Sequence, residues 1–349
     1  MTSNSMLVRA SVALIAIACL GALAAKVAFS GKPAPVTKVV VASYGGAFQI
    51  AQIKAFYDPY TKITGTKVIH TSGSGYAKLK AMAESGNITW DVVSAESSAR
   101  ANEVKDNLLQ PLDYSIIKAD GIPDEYRTKY NVGYIKFAEV LAWSKDKFPI
   151  GVTPAQFFDP AVKGRRAVTL EPEYTLEFAL LADGVKAAEL YPLDVNRALN
   201  VVGRVKDQIV AYKGAADVQA LIEQGEVDMA FVPSGRVYNA IRAGANWGYG
   251  WEASVSDTEW WGVAKGAPHS LEAMKFINFV VQPVPQAEFA RQLPNGPTNV
   301  NALSLLEPSI AKDLPSYPDN ARLGAVLNSQ WWNENRESVK ARWNSYIMQ

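Results

Sequence analysis

Cysteine is almost missing from this chain of 349 residues: Cys19 stands alone, inside an N-terminal apolar run. A mature protein that sheds that run has no disulfide, no thiol nucleophile and no thiolate metal site. Histidine is scarce too. His70 and His269 lie far apart, in no HxxH or HExxH spacing, which argues against a histidine metal centre or general base. Charge of one sign is also lacking: 35 Lys and Arg stand against 34 Asp and Glu, so neither nucleic acid nor an anionic membrane surface is the expected partner. No second apolar run as long as the first follows it, and the first is short for a span of about 20 residues. Ser234-Gly235-Arg236 is no GxSxG elbow and no triad context exists. The expectation is therefore no catalytic residue, no metal and no cofactor; an exported hydrolase stays a distant alternative.

What is present begins with an export signal. Arg9 precedes the apolar stretch from Ser11 to Ala25, and Ala22-Leu23-Ala24 suits signal-peptidase cleavage near Ala24. Residues 1–24 are read as the signal peptide and 25–36 as a flexible leader. Lipidation at Cys19 is the alternative, but Ala16 is a poor residue three positions before it and the run stays apolar beyond it.

From Lys38 the chain alternates short apolar runs with helical patterns. Val39–Ser43 reads as a strand, Tyr44-Gly45-Gly46 as a turn and Ala47–Phe56 as a helix. Strands are expected at Thr66–His70 and Asp91–Ser94, with helices at Tyr76–Glu84 and Ser98–Asn107. Repeated βα units of this kind build an open parallel sheet, whose ligands bind outside the carboxyl ends of the strands. That rule points to the loops 43–46, 71–75 and 94–98. The glycine turn suits polar or anionic ligand atoms at a helix N-terminus, although a tight turn without a ligand would look the same.

A second α/β pattern starts at Gly164–Leu170, with a helix at Glu177–Gly184 and strands at Gln208–Tyr212 and Val227–Val232. Extended segments at Phe137–Ser144 and Thr258–Ala264 lead out of and back to the first half, as a hinge between two lobes requires. The expected division is 37–142 plus 262–305 for the first lobe and 143–261 plus 306–349 for the second.

The order Ser43-Tyr44-Gly45-Gly46, Tyr76-Ala77-Lys78-Leu79-Lys80, Trp90-Asp91-Val92-Val93-Ser94, Pro111-Leu112-Asp113, Phe158-Asp159-Pro160 with Lys163-Gly164, and Gly225–Ala230 resembles the polyamine-type branch of bacterial extracellular solute-binding proteins. The likeness spans nearly the whole mature chain. It implies an α/β, two-lobe, type II-like periplasmic binding protein with a ligand cleft between the lobes. It also implies a monomer that delivers a small molecule to the inner-membrane permease of an ABC importer.

In the polyamine binders an acidic residue of the returning crossover holds an ammonium group, and Glu259 matches that position. A carboxylate flanked by Trp260 and Trp261 suits an amine. Alternation puts 259 and 261 on one face and 260 on the other, so at least one tryptophan is expected to be structural. The turn at Tyr44 carries no carboxylate, unlike that of the polyamine binders, and Arg236 adds a guanidinium that matches a carboxylate. Both departures favour a zwitterion such as a γ-amino acid, another amino acid or an opine, with putrescine or spermidine as the alternative. Arg236 could instead cap a helix or pair with Glu226 or Asp228. The expected ligand set is Tyr44, Gly45, Gly46, Ser74, Ser98, Glu171, Arg236, Glu259 and Trp261. Iron is not expected, because Tyr238 and Tyr249 do not form a pair.

Overall fold

In the computed structural model, which describes residues 37–347, the apolar run Lys38–Ser43 is strand β1, and the turn at Tyr44-Gly45 leads into α1 (Gly46–Gln52). Gly46 has a φ of +66°, a left-handed conformation that side chains with a Cβ adopt only at a cost, so the turn needs its glycine. A π-helical turn (Ile53–Tyr57) joins α1 to α2 (Asp58–Thr64). There follow β2 (Lys67–Ser72), α3 (Tyr76–Glu84), β3 (Val92–Glu96), α4 (Ser97–Lys105) and the short β4 (Leu109–Gln110). The chain then crosses outward in β5 (Asn131–Ser144).

Beyond the crossing lie β6 (Arg166–Thr169), α5 (Thr175–Ala182), α6 (Val195–Gly203), β7 (Ile209–Tyr212), α7 (Ala215–Glu223), β8 (Met229–Pro233) and α8 (Ser234–Arg242). The return strand β9 (Trp247–Ala264) is followed by α9 (Ser270–Val280), α10 (Pro283–Gln292), β10 (Gly296–Pro297), β11 (Ala325–Val326) and α11 (Ser329–Ile347). The expected signal peptide (1–24) and leader (25–36) lie outside the described residues.

The strands join in the order β2-β1-β3-β9-β5-β8-β6-β7, with β4 and β11 on β9 and β10 on β5. β1 is parallel to β2 and β3, and β6 to β7 and β8. Between these two parallel sets the crossing strands β5 and β9 run antiparallel to each other, β9 to β3 and β5 to β8, while the short β11 lies parallel to β9. They are longer than the expected segments at 137–144 and 258–264, because each pairs with the other over most of its length.

The core residues sort by lobe. Val41, Phe56, Tyr134, Trp261, Phe276 and Phe289 belong to one apolar cluster, which draws on residues 39–135 and 261–293. Phe157, Phe178, Phe231, Val255, Trp332 and Trp343 belong to another. Along β5 the packing changes sides between Ile135 and Ala138, and along β9 between Val255 and Trp261. Leu306, Ala311 and Leu314, expected with the second lobe, pack instead against Ala287 and Ala290 of α10. α11 does pack with the second cluster, through Trp332, Val339 and Trp343. Two apolar faces on one continuous sheet thus leave a seam where β5 and β9 pass between cores.

Candidate functional site

Polar side chains collect along that seam. Glu259 is 6% exposed. It sits on β9 directly across from Glu96 on β3, the spacing at which like charges on neighbouring strands repel. Burial, Glu96 and Asp257 together hold the Glu259 carboxyl well above the usual carboxylate range, against hydrogen bonds from Ser94 and Tyr44. Ser94 Oγ donates to Glu259 Oε2 at 3.2 Å. Ser94 also meets the Tyr134 hydroxyl at 2.9 Å, and Gln52 Nε2 donates to the same hydroxyl at 3.1 Å, so the carboxyl is anchored in the first lobe. Asp257, two residues back, accepts from Ser97 Oγ and from the Thr258 backbone N–H, and burial pushes it up to about 7.

A cavity of about 250 Å³ opens beside Glu259 and Glu96. Tyr44 enters it from the glycine turn, its ring edge-on to Phe48 at 5.5 Å. From the second lobe come Ser234, Arg236 and Asn239 of α8, and from the first lobe, after α10, comes Asn295. Ser234 is the first residue of a nine-residue helix. The backbone N–H groups of that first turn point outward, and the local dipole favours negative charge. Its hydroxyl is buried and has no hydrogen-bond partner among the described residues. Arg236 is half-buried, and burial draws its guanidinium below the ordinary arginine range. No ion pair of Arg236 occurs among the described residues; Glu226 pairs with Arg165 and Asp228 with Lys147, so neither of its expected alternative partners holds it. The cavity is therefore lined both by carboxyls, Glu259 and Glu96, and by a cationic, donor-rich pair, Ser234 and Arg236.

A second cavity of about 200 Å³ shares Glu96, Ala215 and Pro233 with the first. Ser98, Glu139 and Glu171 line it, with Lys213 and Arg336 among the cations at its edge. Glu171 is ion-paired with Lys340 at 2.7 Å, and Glu173 with Arg336. Glu139 is pushed up to about 8 by burial and by the Glu96 charge.

Of the expected ligand residues, Tyr44, Arg236 and Glu259 meet at the first cavity and Ser98 and Glu171 at the second. Gly45 and Gly46 line neither; they shape the turn that aims Tyr44. Ser74 also lines neither and ties its loop to β1, its N–H donating to the Ser43 carbonyl at 3.2 Å. Trp261 is a correction. It is fully buried, stacked on Tyr134 with ring centroids 4.4 Å apart, and packs in the first core. Two residues advance a strand by about 6.7 Å, and from Glu259 at the seam that step carries Trp261 inside the lobe. Trp260 is buried as well, with the Arg100 guanidinium 4.4 Å over its ring.

Glu96, Glu139, Ser234 and Asn295 are not singled out by the sequence. The carboxyl-end rule does point to the 94–98 loop, and thus to Glu96; nothing local marks Asn295. His70 contacts Gln49 and His269 contacts Asp91, both away from the cavities. Among the described residues no group of three or more His, Cys, Asp or Glu is placed to hold a metal, and no helix is long and apolar enough to cross a membrane.

Comparison with known proteins adds a lineage to this geometry. A family described as bacterial extracellular solute-binding protein matches residues 55–318. The solved structure of AgtB from A. tumefaciens R10, in complex with agropinic acid, is 64% identical, superposes with a TM-score of 0.82, and is matched over 90% of this chain and 99% of that one. The gamma-aminobutyric acid-binding protein of Pseudomonas aeruginosa is 31% identical over 88% of this chain and 90% of its own length. The spermidine/putrescine-binding periplasmic protein of Escherichia coli K12 is more distant, at 24% identity over 79% of this chain and 82% of its own.

Proposed function

The chain belongs to the bacterial extracellular solute-binding protein family, and from that premise we propose that it is the periplasmic receptor of an ABC importer for an opine or related amino-acid conjugate, captured by closure of two lobes. The observation that carries the ligand class is the pair Ser234 and Arg236: a buried hydroxyl without a hydrogen-bond partner and a half-buried guanidinium without an ion pair among the described residues, at the N-terminus of α8 and lining the same cavity as Glu259. A buried donor left unpaired costs free energy, and a carboxylate supplies what both lack. A polyamine would set an ammonium group against the guanidinium in a partly dry cleft. The agropinic acid bound by AgtB and the γ-aminobutyric acid bound by the Pseudomonas protein both support a carboxylate ligand.

In this reading Tyr44, Arg236 and Glu259 hold the ligand, Gly45, Gly46 and Ser74 position the turn, and Ser98 and Glu171 border its far side. The lobes divide near residue 137 in β5 and near 258 in β9, with 306–317 in the first lobe and α11 in the second. The protein is a monomer, exported by a cleaved signal, and it has no catalytic role. Calorimetric titration with agropinic acid, γ-aminobutyric acid and putrescine tests the ligand class. Agropinic acid should bind tightest and putrescine weakest, and Arg236→Ala should weaken the carboxylate ligands by about 1.5–3 kcal/mol, with Arg236→Lys restoring only part. Putrescine binding more tightly than agropinic acid, or an Arg236→Ala protein of unchanged affinity, would overturn it.

A further inference from the structure

We propose that the second cavity is a separate subsite that takes an uncharged, hydroxyl-rich half of the ligand, so that the receptor is built for an extended conjugate and not for a free amino acid. This rests on the reading of the first cavity as the carboxylate site. The two cavities share Glu96, Ala215 and Pro233 in their linings. A molecule anchored at Arg236 and longer than the first cavity has this direction in which to extend.

The chemistry of the second cavity is set by what already lines it. Glu139 is 8% exposed, faces the cavity from the crossing strand β5, and its Oε2 has no partner among the described residues. Such an oxygen is costly to bury and calls for a polar group from outside the protein. A carboxylate is excluded by the neighbours, since Glu96, Glu171 and Glu173 stand in the same wall. Lys213 and Arg336 line the same cavity, so its wall carries both signs of charge. Arg336 is ion-paired with Glu173 and Lys340 with Glu171, so these charges have counter-charges without a guest. What fits between carboxyls and cations alike is a group that both donates and accepts, which is a hydroxyl. Burial and the Glu96 charge raise Glu139 to about 8, so at neutral pH its carboxyl is largely protonated and can itself donate and accept toward a hydroxyl.

The test uses agropinic acid, a carboxylate joined to a polyhydroxylated chain, titrated by calorimetry into the mature protein at pH 7 in two buffers of different ionisation enthalpy. Glu139→Gln, which copies a neutral carboxyl in size and hydrogen bonding, should keep affinity within about threefold. Glu139→Leu should lose about tenfold or more, and binding to the unmodified protein should release few protons. Ala215→Phe, at the half-buried start of α7 and lining both cavities, should weaken agropinic acid by a similar factor by filling the space beside them; because it leaves β5 untouched, it stands in if Glu139→Leu folds poorly. Unchanged affinity in both Glu139→Leu and Ala215→Phe, while Arg236→Ala weakens binding, would leave the carboxylate site intact and remove the second subsite. Loss in Glu139→Gln equal to that in Glu139→Leu, with protons released on binding, would show an ionised carboxylate on a cation and overturn the hydroxyl assignment. Failure of the unmodified protein to bind agropinic acid at all would remove the reading beneath both.

Discussion

Replacing Glu177 by Gln should change how stability depends on pH, and by a predictable amount. Glu177 lies on α5, is fully buried, and accepts hydrogen bonds at Oε1 from the Tyr191 hydroxyl and from Trp332 Nε1, each at 2.6 Å. It therefore ties α5 to the segment before α6 and to α11, and it lines neither cavity. Its Oε2 has no partner among the described residues. Burial pushes the carboxyl from the ordinary 4.5 up to about 7, the two hydrogen bonds pulling the other way. Because the folded value is raised, the folded state keeps the proton longer than the unfolded chain. Stability from this group is fully present below about 4.5 and is lost as pH rises through about 7. At about 1.4 kcal/mol per pH unit, the window between those values amounts to about 3 kcal/mol. Gln keeps an acceptor for Tyr191 and Trp332 but does not titrate, so its own cost is a constant offset. Urea unfolding of the ligand-free mature protein and of Glu177→Gln, from pH 4 to pH 8.5, isolates the effect, since every other carboxyl is common to both. The stability difference should move in favour of Gln by about 3 kcal/mol across the series. Parallel pH profiles would refute the reasoning and mean that the carboxylate is solvated in the folded state.

Two further substitutions probe the scaffold. Arg166 is fully buried, and its guanidinium donates to the carbonyls of Phe157, Asp159, Val162 and Gly164 and to the side chain of Gln208. Arg166→Met should cost at least about 3 kcal/mol in urea unfolding by stranding those acceptors, and Arg166→Lys, with three donors instead of five, should recover only part. A loss under 1 kcal/mol would mean that water replaces the guanidinium. Gly324 precedes β11, and a Cβ there would lie 2.2 Å from the Ser254 carbonyl oxygen, a backbone atom held by β9. Gly324→Ala should lower stability by about 1–3 kcal/mol, readable as a lower thermal midpoint, and an unchanged midpoint would mean that the loop shifts freely.

Much of the fold was legible because its signals are local. The run Val39–Ser43 with its glycine turn, and the helix at Tyr76–Glu84, reflect periods of two and 3.6 within a few residues. The return strand was legible only from Thr258 onward, since Trp247-Gly248-Tyr249-Gly250-Trp251 reads as a glycine-broken segment. Pairing with β5 makes it strand, Gly248 and Gly250 lying opposite Trp143 and Leu141. The helix at Ser329–Ile347 was missed for a related reason: its buried positions, Trp332, Val339 and Trp343, are few among polar residues, and it is held by the second core more than by its own apolar stripe.

By itself the sequence determined the α/β alternation, the need for glycine at Gly46, the lack of thiol and histidine chemistry, and the presence of one acid and one arginine at loops that face a cleft. These depend on residue type and on spacing along the chain, although the structure sets the acid, Glu259, on strand β9 and the arginine, Arg236, in the first turn of α8 and not on loops. Tertiary structure alone decided the rest. It set Ser94 on Glu259 across 165 positions of sequence, put Glu96 opposite Glu259, withdrew Trp261 into the core, and left Ser234 Oγ without a hydrogen-bond partner among the described residues. Those outcomes turn on strand register and on which cores two long strands pass between. A polar group's partner and its dielectric surroundings belong to the closed chain, and local pattern carries no trace of them.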